Sequence, residues 1–70
     1  MTTYTLAEAV KVATANSDTP LRWTIEAAIV RLAAEHGAVY YSDVGPTGTW
    51  NVYGDCYDFA EANPTLTIEA

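Results

Sequence analysis

The chain is 70 residues long, half of them hydrophobic, with nine acids against three bases and a formal net charge of −6. That is room for one small domain, 1–70, with too apolar a composition for intrinsic disorder. An acidic balance excludes direct binding to DNA, RNA or an anionic membrane, each of which needs a positive footprint.

The start, MTTYTLAEAV, has no basic segment and no long apolar core, so no signal peptide is expected. Within it, TLAE reads as a capping box: the Thr5 hydroxyl accepts from the Glu8 amide, and the Glu8 side chain reaches back to the Thr5 amide. A helix is expected from there to about Ala15, with Leu6, Val10 and Ala13 recurring on its apolar face. Asn16, Ser17 and Asp18 close it and open a turn.

A second helix starts at DTPLRW, where Asp18 or Thr19 caps it and Pro20 fits the first turn. Gly37 is the expected residue just past its end. Leu21, Ile25, Ala28 and Leu32, with Ile29 at the edge, form one apolar face. Trp23, Ala27, Val30 and Ala34 form another on roughly the opposite side. A helix apolar on two sides is normally sandwiched, here between the first helix and a sheet, with the small Ala27 and Ala34 allowing close approach. Its apolar run at 27–30 is far too short to span a membrane.

AVYYSDV (38–44) and TWNVYG (49–54) are rich in β-formers and are joined by the turn GPTG, so they read as a hairpin. TLTIE (65–69) alternates, with Leu66 and Ile68 inward, as a last short strand. Between them Asp55 can cap a short helical turn with Cys56, Phe59 and Ala60 facing inward, stopped at Asn63-Pro64. The expected fold is α+β: two N-terminal helices packed on a small, mainly antiparallel three-stranded sheet, in the order α-α-β-β-(short α)-β.

GDCYDFAEANP (54–64) concentrates the candidate chemistry. It holds the sole cysteine and three carboxylates, Asp55, Asp58 and Glu61. One cysteine cannot form an intramolecular disulfide, and with one histidine it cannot build a structural zinc centre. It fits a reducing cytoplasm, where the protein is expected to reside. As a nucleophile Cys56 would need a depressed pKa, which the flanking Asp55 and Asp58 oppose. His36 could serve it as a base only if the fold brought the two together, and a lone cysteine is more often a small buried hydrophobe. The three carboxylates lack the dense oxygen alternation and central glycine of a calcium loop. No catalytic residue, metal or cofactor is therefore expected, and no enzyme.

The remaining reading is an acidic surface. From residue 37 onward there are five acids, Asp43, Asp55, Asp58, Glu61 and Glu69, and no Lys or Arg. Helical residues three apart lie about 5–6 Å apart at Cβ, close to the phosphate repeat of a nucleic-acid strand. Capping and the helix dipole account for acids at the start of a helical turn, but not for the loss of every base over half the chain. Tyr40, Tyr41, Tyr53 and Tyr57 lie in the same half with Trp50, and exposed tyrosine beside carboxylates suits protein recognition.

In size, charge and order of elements the chain resembles small acidic phage-encoded anti-CRISPR proteins of the type I systems. That resemblance implies a non-enzymatic inhibitor, active in the host cell cytoplasm, that binds a Cas subunit on the basic surface that would hold target DNA. The expected partner is thus a basic nucleic-acid-binding protein. The expected contact residues are Asp43, Tyr53, Asp55, Tyr57, Asp58, Glu61 and Glu69. The alternative is a small homodimeric structural or regulatory module without DNA mimicry, its exposed aromatics forming the interface.

Overall fold

The structure, a computed structural model, describes residues 1–37 and 56–70. In chain order they form β1 (Thr3–Thr5), α1 (Leu6–Ala15), α2 (Pro20–Glu35), α3 (Cys56–Ala62) and β2 (Thr67–Glu69). The α+β class holds, with three helices and a two-stranded antiparallel sheet among the described residues. The expected hairpin, 38–44 with 49–54, lies outside the described residues, so the three-stranded sheet is not seen.

The order is corrected at its start, where a strand precedes the first helix. Thr3, Tyr4 and Thr5 pair with Glu69, Ile68 and Thr67. Three residues are too few to show an alternation, and Thr5 serves both as strand end and helix cap. Its hydroxyl accepts from the Glu8 amide at 3.1 Å, and its amide donates to Glu8 Oε1 at 2.9 Å. The capping box is therefore formed in full. Those bonds hold the Glu8 carboxyl below its ordinary pKa, the backbone bond to Thr5 most of all.

The turn between α1 and α2 is closed by local bonds. Asn16 Nδ2 donates to the Val12 carbonyl at 2.7 Å, and Asp18 takes a left-handed φ of 56°. Thr19 is the cap of α2: its Oγ1 accepts from the Arg22 amide at 3.3 Å and donates to the Asn16 carbonyl at 2.8 Å. Pro20 occupies the first turn. Gly37, at φ +84°, follows the end of α2, and its N–H meets the Ala34 carbonyl at 3.0 Å. A non-glycine residue is strained at that φ.

The core joins all these elements. Leu6, Ala9 and Ala13 of α1, Ile25, Ala28, Ile29 and Ala33 of α2, Cys56, Phe59 and Ala60 of α3, and Ile68 of β2 are buried together. The alanines that admit close neighbours on α2 are Ala28 and Ala33, not Ala27 and Ala34, which are exposed. Helices α1 and α3 both pack on α2, whose buried face includes Ile29 and Ala33. The opposite stripe is largely uncovered: Trp23 is 59% exposed, and Ala27 and Ala34 are exposed as well. Of that stripe only Val30 is partly buried against the core among the described residues.

Candidate functional site

α3 is fastened on its inner side and open on its outer one. Cys56, Phe59 and Ala60 recur at i, i+3 and i+4 and are buried, so Asp58 and Glu61, on the opposite side of the helix, point outward. Both are exposed. The C-terminal end of α3 is closed by Asn63, whose Nδ2 donates to the Phe59 carbonyl at 3.1 Å.

Tyr57 locks α3 to α2. Its hydroxyl donates to Glu26 Oε2 at 2.8 Å, and Arg22 Nε approaches the same oxygen at 3.3 Å and the tyrosine oxygen at 3.4 Å. Arg22 Nη1 also meets Asp18 Oδ1 at 3.2 Å. Burial pushes the Tyr57 hydroxyl above its ordinary pKa, and the bond to Glu26 adds to that; Arg22 pulls the other way. The bond with Tyr57, then the charge of Glu26, raises Arg22 in turn.

This cluster corrects one expectation of the sequence. No base lies near GDCYDFAEANP along the chain, yet Arg22 reaches Tyr57 across 35 positions. The signal that could have revealed it is the Arg22–Glu26 spacing of four, which marks a polar ridge on α2 needing a partner.

The Cys56 thiol is 2% exposed and lies 4.0 Å from Glu26 Oε2. A thiolate there would face a carboxylate, the wrong neighbour for a nucleophile. The His36 ring packs at 6.1 Å on Phe59. It stands ten residues beyond Glu26, about 15 Å along the helix axis. Among the described residues no three His, Cys, Asp or Glu side chains converge as a metal site needs. No helix there is long and apolar enough to cross a membrane.

Of the expected contact residues, Asp58 and Glu61 share α3, and Tyr57 stands half-buried between α3 and α2. Glu69 is exposed on β2 and borders a groove with Arg31 and Glu35 of α2. Glu61 borders a different groove, with Lys11 of α1. The described carboxylates thus belong to more than one face. Asp43, Tyr53 and Asp55 lie outside the described residues.

No protein-family model, curated protein or solved structure matches this chain.

Proposed function

We propose that the chain is a binding protein of the phage inhibitor type, which lays the outer side of α3 on a basic nucleic-acid-binding surface and blocks it. A Cas subunit of a type I Cascade complex is the partner class that size and charge favour. The observation that carries the reading is the two-sided character of α3. Apolar anchors hold its inner side, while Asp58 and Glu61 stand exposed on its outer side. The chain beyond Arg31 supplies no Lys or Arg to offset them.

In mechanism, charge steers the encounter and orients the partner's Arg and Lys side chains onto the carboxylates. Asp55, which precedes Cys56 in the sequence, adds a further carboxylate to this half of the chain, and Tyr53 an aromatic side chain. Asp43 and Glu69 add to the net negative charge of the same half of the sequence. Tyr57 contributes the exposed part of its ring, since its hydroxyl is occupied by Glu26. The protein needs no cofactor for this and performs no chemistry on its partner.

The test is competition. A purified type I Cascade complex is titrated with the chain while its binding to target DNA is followed. The expected result is loss of DNA binding, weakened by added salt and abolished by reversing Asp55, Asp58 and Glu61 together to Lys. Inhibition that ignores both salt and charge reversal would rule out the acidic-face mechanism.

A further inference from the structure

The small sheet has two outer edges, and they are built differently. Thr2 and Ala70 exchange both backbone hydrogen bonds at 2.9 Å, and the Leu6 amide donates to the Leu66 carbonyl at 2.7 Å. Antiparallel pairs alternate, so Tyr4 and Ile68 form the hydrogen-bonded pair between them. The N–H and C=O groups of Thr3, Thr5, Thr67 and Glu69 must then point away from the ladder.

On the β1 side that edge is guarded. Glu8 Oε1 takes the outward Thr5 amide, and Lys11 stands in the same groove beside Thr3 and Tyr4. A carboxylate and an ammonium on an edge are what discourages strand addition. On the β2 side no backbone group among the described residues meets the outward N–H and C=O of Thr67 or Glu69. Beside them runs a groove walled by Met1 and by Ala28, Arg31, Leu32 and Glu35 of α2. Leu32 is only half-buried there and Thr67 and Glu69 are exposed. A neighbouring strand at that edge would satisfy the backbone and cover Leu32.

We infer that the β2 edge is a self-association site, at which a second copy of the chain adds its own β2 antiparallel to form a continuous sheet β1-β2-β2-β1. The strand is self-complementary when its central residue lies on the axis. With Ile68 on the two-fold axis, Thr67 of each copy lies opposite Glu69 of the other. All four outward groups of each copy are then paired, and no like charges face each other. A register centred on Glu69 would put two carboxylates opposite each other.

The helices beneath agree with this pairing. A two-fold axis normal to the sheet sets the two α2 flanks side by side and antiparallel. Each flank carries Arg31 one turn before Glu35, so each copy's cation is directed toward the other's carboxylate. Neither side chain forms an ion pair among the described residues that would compete. This association does not use the exposed carboxylates of α3, the helix that packs on α1 and α2.

Sedimentation velocity of the full chain over a concentration series tests it. The expected result is a shift from the 7.6 kDa chain toward twice that mass. Glu69→Pro removes only an outward N–H, where an edge strand tolerates proline, and should abolish the shift while leaving the helical circular dichroism unchanged. Arg31→Glu should weaken association, and the double swap Arg31→Glu with Glu35→Arg should restore it, which keeps the test decisive if Glu69→Pro unfolds. A chain that stays at 7.6 kDa throughout overturns the inference. So does a dimer untouched by both sets of variants, or a monomer whose Thr67 and Glu69 amides are already protected from hydrogen exchange.

Discussion

Tyr57 holds its proton through a donated bond to Glu26 and through burial, so its hydroxyl titrates above the ordinary tyrosine range. The folded state therefore binds that proton more tightly than the unfolded one. The stabilisation is complete below the ordinary tyrosine pKa of about 10 and is lost as pH rises through the folded value. Alkaline unfolding followed by circular dichroism should show this loss, and Tyr57→Phe should flatten it. Glu8 has the opposite sign. Its lowered pKa gives stability that is present above the ordinary carboxylate range and lost as pH falls through the folded value. Thr5→Ala should remove about 1 kcal/mol at neutral pH and blunt that acid limb. Cys56, at 2% exposure, should react with a thiol reagent only as fast as the fold opens. Rapid labelling of the folded chain would reinstate a reactive thiol.

The helices were legible in the sequence because their ends are written in short local signals. Thr5 with Glu8, Thr19 before Pro20, and Gly37 act within four residues, and each is found where its chemistry demands. The inward Cys56, Phe59 and Ala60 follow from the same helical spacing. What could not be read is non-local. Strand β1 exists because β2, more than sixty positions later, offers it a partner. The sequence offers α2 two apolar stripes, and it is the packing of α1, α3 and β2 on it that buries Ile25, Ala28, Ile29 and Ala33. The link from Arg22 to Tyr57 likewise depends on how α2 and α3 meet. Gly37→Ala should cost roughly 1–2 kcal/mol through its left-handed backbone, since nothing lies within 4 Å of an added Cβ. Thermal unfolding measures that loss, and an unchanged midpoint would mean that the turn relaxes.

At the scale of the molecule, a chain this short has total stability of roughly 4–10 kcal/mol. Phe59 is its largest fully buried side chain among the described residues, and Phe59→Ala should remove about 3–5 kcal/mol. That leaves little or no folded population, visible as loss of a cooperative melt. The outer side of α3 should behave in the opposite way. Glu61 is exposed and outside the core, so reversing it to Lys should leave the melting midpoint within a few degrees of the parent. The charge contrast between these two sides of one short helix is the centre of the functional account. Calorimetric titration of the chain into a type I Cascade complex, parent against Asp58→Lys/Glu61→Lys, tests it most directly. The account predicts tight, salt-sensitive binding by the parent and its loss in the folded double variant. Equal binding by both, or binding by neither, would contradict it.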